Sequence, residues 1–591
     1  MDLSVILGLL SGLVLFLFGM DLMGDALKKS AGSSLKTILG KMTSNPFKGF
    51  LLGLGVTAII QSSSATTVMV VGFVTSGTMT LLQATGVIMG ANVGTAVTAW
   101  LTALAGLNND NATGIVETLK WLKPDAWLPF VAVIGFLLYM FAKRGRKKDI
   151  GIVLIGFVIL MTGMDLMGDS VSGLGEQLSG LFTMFGDIPV LGVLAGLILT
   201  AVVQSSSASV GILQTLTMAG GITFGAAIPI VMGQNIGTCV TALISAFSAN
   251  RDGKRAAMIH LYFNVIGVVV VLSLFYIINA VFSCFNGLMS TTIDPFGVAL
   301  VHTVFKIISV VLMFPFHRQL EKLARISIPD SKDEREEKTA MLDERLLSTP
   351  SIAVDRATQV TVEMANISFE AFNKAVKLFD EEYDPKLADE IRALEARADK
   401  YEDSIGSYLI KISACDLSEA DSEQITKLLH LIGDLERISD HAVNVLESKE
   451  EMHDKKIEFS AEAKREVAVM RAAVSEIISL SHEALVGIDG MEKAADVEPL
   501  EEVIDDLRDQ IKLNHIIRLQ KSECTIEHGF VLSDILNNFE RVADHCSNIA
   551  ACVIEISRYD ALDMHKYLGE VKNNGEEFEK KFDMYKTKYK I

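Results

Sequence analysis

The sequence predicts an all-α protein in two parts: a polytopic membrane domain of two inverted repeats with re-entrant hairpins, then a cytoplasmic helical-bundle domain. Three observations predict it. Apolar runs at 3–20, 128–142, 150–164, 259–282 and 298–316 approach or reach the ~20 residues of a spanning helix, and none follows Phe316. The first half also repeats its polar motifs. Gln61-Ser62-Ser63-Ser64-Ala65 returns as Gln204-Ser205-Ser206-Ser207-Ala208, Asn92-Val93-Gly94-Thr95 as Asn235-Ile236-Gly237-Thr238, and Gly19 to Asp25 unchanged as Gly163 to Asp169. Finally, equivalent loops of the two copies carry opposite charge bias.

Composition separates the halves. Residues 1–325 hold 19 Lys+Arg and 14 Asp+Glu, a net of +5; the totals of 53 and 72 leave 34 and 58 for the rest, a net of −24. The six cysteines form no CxxC pair, so neither a zinc site nor a disulfide framework is indicated. Asp2 precedes the first apolar run and Lys28 and Lys29 follow it, the reverse of a signal peptide. These features bound a membrane domain at 1–320 (repeat one about 1–149, repeat two about 150–283, final helix 298–316), a linker at 321–349 and a soluble domain at 350–591.

In chain order, the first run leads into a loop with Lys28, Lys29, Lys36, Lys41 and Lys48, which belongs inside by the positive-inside rule. The N-terminus is therefore outside. Segment 50–76 is interrupted by its serines; halves of about a dozen residues reach ~18 Å each, short of a ~30 Å core. A re-entrant hairpin follows, then a crossing at 79–105 broken at Asn92-Val93-Gly94-Thr95. The loop from Leu107 to Trp127 lies outside, and Lys143, Arg144, Arg146, Lys147 and Lys148 mark the next inside loop. In repeat two, the loop from Ser170 to Pro189 holds Glu176 and Asp187 but no Lys or Arg, so this copy is inverted. Its hairpin is 190–219 and its crossing 221–247. Arg251, Lys254 and Arg255 return the chain inside, 259–282 leads out and 298–316 leads back, leaving the soluble domain cytoplasmic.

Polar runs inside hydrocarbon need a ligand or a cavity. A broken helix offers N–H groups to an anion at one half and carbonyls to a small cation at the other. Two tips, Gln61, Ser62, Ser63, Ser64 and Gln204, Ser205, Ser206, Ser207, would surround an oxyanion with donors, while Thr66, Thr67, Asn92, Thr95, Asn235 and Thr238 could hold sodium. No Lys or Arg lies near either break in sequence, so a co-bound cation would supply the positive charge. Small-residue helix packing would explain one serine run but not the duplicated set. Serine nucleophilic chemistry lacks a nearby base, and the chain is not read as an enzyme.

The paired Gln-Ser-Ser-Ser and Asn-x-Gly-Thr motifs resemble the sodium-dependent phosphate cotransporter family, the bacterial relatives of type II sodium/phosphate cotransporters, over about residues 1–320. The resemblance implies inorganic phosphate as substrate and sodium as coupling ion, with the two Gln-Ser-Ser-Ser tips forming the site. Asp21, Asp25, Asp165 and Asp169 read as solvated helix ends at the membrane interface, with a cation path as the rival. His260-Leu261-Tyr262-Phe263-Asn264 echoes His302-Thr303-Val304-Phe305-Lys306, with Lys306 departing from the pattern.

The soluble half repeats too. Glu436-Arg437-Ile438-Ser439-Asp440-His441 corresponds to Glu540-Arg541-Val542-Ala543-Asp544-His545, and Glu395 with Asp399 to Asp505 with Asp509, which suits two three-helix bundles. Carboxylates four apart share a helix face and could hold divalent metal, or form a solvated face with salt bridges. The repeated motif resembles the PhoU-like phosphate regulators, which implies metal binding at these pairs. The expectation is sodium-coupled phosphate import with cytoplasmic regulation, in membrane lipid, with no nucleic-acid partner and with a homo-oligomer or regulatory partner through the PhoU-like domain. A carrier of another oxyanion, or a transport-inactive sensor or scaffold, remains open. Deletion after about residue 330 should then leave uptake intact.

Overall fold

The computed structural model describes residues 3–40, 45–105, 124–142, 145–171, 175–330, 342–379, 383–487, 490–557 and 576–591. The chain divides into two compact units, Met1–Ile352 and Ala353–Ile591. Both are helical, and among the described residues the β-structure is one bridge, Thr223 to Thr292.

In the first unit, α1 (Leu3–Gly40) precedes a broken pair, α2 (Pro46–Ile60) and α3 (Ser63–Thr75). Next come α4 (Leu81–Gly94), α5 (Ala96–Ala103) and α6 (Pro124–Phe141). The second copy runs α7 (Arg146–Val171), α8 (Gly175–Asp187), α9 (Pro189–Val203), α10 (Ser206–Met218), α11 (Phe224–Gly237) and α12 (Cys239–Ala246). α13 (Arg251–Phe282), α14 (Asn286–Ser290), α15 (Pro295–Met313) and α16 (His317–Ser327) complete the unit. Among the described residues six helical stretches, Leu81–Ala103 and Pro295–Ser327 included, are long and apolar enough to cross a membrane, or seven if a bent pair counts as one span.

The break in each short pair is a reversal. Thr57 Oγ1 donates to Thr66 Oγ1 at 3.0 Å, and Thr200 Oγ1 to Ser209 Oγ at 2.8 Å. Nine residues of continuous helix would span ~13 Å, so each chain folds back at its tip. Gln61 (φ 61°) and Gln204 (φ 56°) make the turn in the left-handed region. There Ser62 and Ser205 cap the next helix by accepting from the Ala65 and Ala208 N–H groups at 3.1 and 3.2 Å.

Glycines let the copies pack in matching ways. A Cβ on Gly53 would strike the Val87 carbonyl, and one on Gly90 the Phe50 carbonyl; Gly196 with Ile230 and Gly233 with Val193 repeat this 143 residues on. α2 thus lies against α4, and α9 against α11, backbone to backbone. Between the copies, α1 and α7 run antiparallel: Gly12 meets Gly163, and Gly19 meets Gly156. Gly12 and Gly156 are equivalent under the duplication, as are Gly19 and Gly163. The contact is therefore reciprocal, as two-fold-related elements require.

Several local expectations need correcting. α1 is helical through Gly40, so Lys28, Lys29 and Lys36 lie on a helix rather than in a loop; Lys41 lies outside the described residues. The stretch between Asp169 and Pro189 also contains a helix, α8, whose described part turns by 116° into α9. Its Phe182 is buried in the core beside Ile222 and Ala226. At Asn92 to Thr95 the span is interrupted at Thr95, between α4 and α5, but only slightly: Thr95 keeps helical torsions (φ −61°, ψ −23°), and its hydroxyl donates to the Ala91 carbonyl at 3.2 Å. The loop from Leu107 and the Lys143-Arg144 pair fall largely outside the described residues. Finally, the linker is largely built in. α16 occupies its start, and a 3-10 turn, Glu344–Ser348, buries Leu346 completely against Gly72 of α3.

Among its described residues the second unit has six long helices, the number two three-helix bundles require: α17 (Pro350–Lys377), α18 (Pro385–Ser413), α19 (Glu419–Lys455), α20 (Ala461–Val486), α21 (Gly490–Gln520) and α22 (Ile526–Ser557). A last helix, α23 (Glu576–Lys588), is tied to α21 by Lys581–Asp496 at 2.7 Å and Lys586–Asp506 at 2.8 Å. The motif helices α19 and α22 meet reciprocally. His545 Nδ1 donates to Asp434 Oδ1 at 2.9 Å and His441 Nδ1 to Asn538 Oδ1 at 2.8 Å, with the two imidazoles stacked.

Candidate functional site

Both Gln-Ser-Ser-Ser tips line one cavity of about 350 Å³. Gln61, Ser62, Ser63 and Ser64 form one wall and Gln204, Ser205, Ser206 and Ser207 another; α1 closes the third with Leu17, Met20, Asp21, Gly24, Asp25 and Lys28. α1 bridges the tips because Gly24 sits beside the Ile60 carbonyl and Phe16 packs on Gly211 of α10.

The donors come from the helix starts. In α3 the first N–H to reach a backbone carbonyl is Thr66, on Ser62 at 3.1 Å; in α10 it is Ser209, on Ser205 at 3.0 Å. Ala65 and Ala208 are capped by serine hydroxyls. This leaves the Ser63, Ser64, Ser206 and Ser207 N–H groups at the cavity wall, where two helix dipoles favour negative charge.

The two glutamines differ. Gln61 is buried, accepts from Thr98 Oγ1 at 2.7 Å and donates to the Ala58 carbonyl. Gln204 is exposed, and among the described residues its amide has no partner. Thr241, the counterpart of Thr98, bonds its own helix at Thr238 O instead, at 3.0 Å. The two tips therefore match in backbone conformation and differ in side-chain partners.

Two sequence readings change here. Lys28 does reach the site, through α1 rather than through either break, and pairs with Asp25 at 2.8 Å. Asp21 and Asp25 are cavity walls, whereas Asp165 and Asp169 of the identical second copy do not line it. The sequence signal was present in the repeated Gly-Met-Asp-Leu-Met-Gly-Asp; what it lacked was which copy faces inward. Thr98 was missed although it is duplicated as Thr241, three residues beyond the repeated Asn-x-Gly-Thr.

None of the sodium candidates is among the residues that line this cavity. Thr66, Thr67, Asn92, Thr95, Asn235 and Thr238 are all buried. Four hydroxyls donate one turn back: Thr66 to Ser62 O, Thr67 to Ser63 O, Thr95 to Ala91 O and Thr238 to Gln234 O. Asn92 and Asn235 likewise donate to Ile88 O and Val231 O, which leaves their amide oxygens as acceptors.

In the second unit the two acidic sets differ as well. Carboxylate oxygens of Glu395, Asp399 and Asp440 lie within 4.8 Å of one another, a hard-oxygen set that suits a divalent cation. Burial, then the neighbouring carboxylates, raise the pKa values of Glu395 and Asp399, and burial and Asp440 push Glu436 up to about 7. In the other set a guanidinium already supplies the charge. Arg508 pairs with Glu540 at 2.5 Å, Asp509 at 2.9 Å and Asp505 at 3.3 Å, which leaves no need for metal there. Asp544 instead has its pKa raised chiefly by burial. The position matching Arg508 in the first set is Ala398.

Comparison with known proteins agrees with this division. The Na+/Pi-cotransporter family profile matches residues 15–169 and 170–303, and the PhoU domain profile matches 361–448 and 467–553. Protein YjbB of Escherichia coli K12, provisionally named an inorganic phosphate export protein, is 26% identical over 443 residues, 74% of this chain and 76% of its own. The uncharacterized Bacillus subtilis protein YqeW is 31% identical over 262 residues, 44% of this chain and 79% of its own. Human sodium-dependent phosphate transport protein 2B is 32% identical over 164 residues, 26% of this chain and 22% of its own. No solved structure matches. The chain is a multi-pass membrane protein that belongs to the Na+/Pi-cotransporter family and carries PhoU domain sequence after its membrane unit.

Proposed function

We propose that the chain is a sodium-coupled secondary transporter that imports inorganic phosphate, bound between the Gln61–Ser64 and Gln204–Ser207 tips. The observation that carries this reading is the shared cavity of about 350 Å³, which gathers two helix N-termini and both Gln-Ser-Ser-Ser runs. The copies are inverted repeats with re-entrant hairpins; the antiparallel, reciprocal α1–α7 contact and the short reversing arms support this. The N-terminus lies outside and the PhoU-like unit in the cytoplasm, where it regulates transport, alone or through a partner or homo-oligomer. Sodium binds among Thr66, Thr67, Asn92, Thr95, Asn235 and Thr238, whose side chains are buried; the Asn92 and Asn235 amide oxygens are left as acceptors. A divalent cation is held at Glu395, Asp399, Asp440 and Glu436, the set without an internal arginine.

Proteoliposomes test the transport reading. Phosphate uptake should follow an inward sodium gradient and vanish when potassium replaces sodium; sodium-independent flux would remove the coupling. Export is the second reading, favoured by the name of YjbB. Reversing the gradient on oriented vesicles distinguishes them, because a symporter reverses and a one-way exporter does not. Arsenate or sulfate competing as well as phosphate would favour another oxyanion, and no flux would favour a sensor or scaffold. Cysteines placed within 28–48 and 172–187 should label from opposite faces; labelling from one face would rule out the inversion.

A further inference from the structure

We propose that Lys28 is the anion-recognition residue of the cavity and that its ion pair with Asp25 is exchangeable: the entering oxyanion takes the ammonium, and the freed carboxylate draws in the coupling cation. This rests on reading the cavity as the phosphate site.

The lining is uneven in charge. The hairpins contribute amides, hydroxyls and backbone N–H groups; the charged lining residues, Asp21, Asp25 and Lys28, all come from α1. Lys28 Nζ lies 2.8 Å from Asp25 Oδ1, and the lysine side chain is 25% exposed. The Asp25 side chain is 74% exposed, so the ammonium is the more sheltered partner and the carboxylate faces solvent at the cavity mouth. A flexible four-carbon stem lets the ammonium swing toward the tips, and lysine acts as a point charge toward phosphate oxygens.

The resting pair also screens the cavity. While Lys28 is held by Asp25, an anion entering alone meets an ammonium already paired and the carboxylate of Asp21, whose repulsion opposes its binding. Once the anion has drawn Lys28 away, Asp25 stands beside Asp21 with its charge uncompensated, a situation that favours a small cation. Anion and cation binding therefore assist each other through one side-chain exchange. Such a link is reciprocal by thermodynamic necessity.

The second copy provides an internal control. Asp165 and Asp169 occupy the same sequence motif but do not line the cavity, and residue 172, the counterpart of Lys28, is serine. The role follows from which helix faces inward, not from the motif.

The experiment measures initial uptake in proteoliposomes of full-length protein, varying phosphate at fixed sodium and sodium at fixed phosphate. Lys28→Gln should raise KM for phosphate at least tenfold and, because it leaves Asp25 unpaired, should leave the sodium half-saturation unchanged or lower it. Lys28→Arg should keep KM within about threefold. Asp25→Asn should raise the sodium half-saturation at least fivefold without weakening phosphate. Asp169→Asn should leave both constants within twofold. If Lys28→Gln leaves both constants at wild-type values, or shifts both by one common factor, or if Asp169→Asn matches Asp25→Asn, the proposal is overturned. If Lys28→Gln does not reach the membrane, the Asp25→Asn and Lys28→Arg arms decide by the same criteria. Failure of wild-type protein to take up phosphate with sodium would remove the underlying reading instead.

Discussion

Gln61 and Gln204 occupy backbone that L-residues disfavour by about 1–2 kcal/mol, and glycine would fit both turns without that cost. Their amides are what the turns gain in return. Gln61→Ala should abolish coupled uptake, since loss of a hydrogen bond to a charged group costs about 1.5–3 kcal/mol, at least tenfold in affinity. Gln204→Ala should do the same without loss of stability, because the amide is exposed and has no partner among the described residues. Thr98→Val separates the two: it frees the Gln61 oxygen and should weaken uptake, while Thr241→Val should not. Wild-type sodium and phosphate dependence in both Gln variants would take the amides out of the site.

A second residue-scale prediction concerns pH. Glu436 has a folded pKa near 7 against an ordinary 4.5, raised by burial and Asp440. The stability it contributes is fully present below 4.5 and lost as pH rises through about 7. In metal-free protein, Glu436→Gln should therefore raise the melting temperature of the C-terminal unit at pH 8 and leave it nearly unchanged at pH 4. If a divalent cation binds there, it should stabilise wild type more than the variant at pH 8. An identical pH profile in both proteins would show that the carboxylates do not strain the fold.

Among elements, glycines do two different things, and spacing alone could not separate them. Gly53 and Gly196 lie directly on the carbonyls of Val87 and Ile230, whereas a Cβ on Gly55 meets nothing within 4 Å. Gly53→Ala or Gly196→Ala should force the helices apart and cost about 1–3 kcal/mol, read as a lower melting temperature in detergent. Gly55→Ala should be neutral or stabilising by up to about 1 kcal/mol, the helix-propensity gain over glycine. Equal effects at Gly53 and Gly55 would mean that backbone contact does not hold α2 to α4. The paired hairpins themselves were legible in the sequence, because duplication marks the serine runs and their glycine frame together. α8 was not: a polar start and a sharp bend at Ile188 hide a helix from any search for long apolar runs. Lys28 was hidden for another reason, since its approach depends on α1 crossing both tips.

At the scale of the whole molecule, the sequence placed a linker at 321–349 before a soluble domain from 350, and the structure divides the chain at Ile352, with the linker counted in the membrane unit. The difference lies in a short clasp. Arg345 donates to the Ser245 carbonyl at 2.9 Å and pairs with Asp343 at 2.7 Å, and Leu346 and Thr349 are buried. Upstream, Arg255 holds the Ile328 carbonyl at 2.8 Å and Asp330 at 2.6 Å. The segment leading to the PhoU-like unit is thus fastened to α3, the second arm of the first hairpin, and beside α12. Two truncations should therefore differ where a passive linker would make them alike. Ending the chain after residue 352 keeps the clasp and should preserve sodium-coupled uptake while altering its control. Ending it after residue 330 removes Leu346 from its seat on Gly72 and should lower stability by about 2–5 kcal/mol, as loss of a buried leucine does. Uptake should fall with it, and Leu346→Ala in the full chain should reproduce part of the loss. If both truncations transport and melt alike, residues 342–349 are only a tether. If the 352 truncation alone abolishes uptake in folded, membrane-inserted protein, the PhoU-like unit is part of the transport machine rather than its regulator.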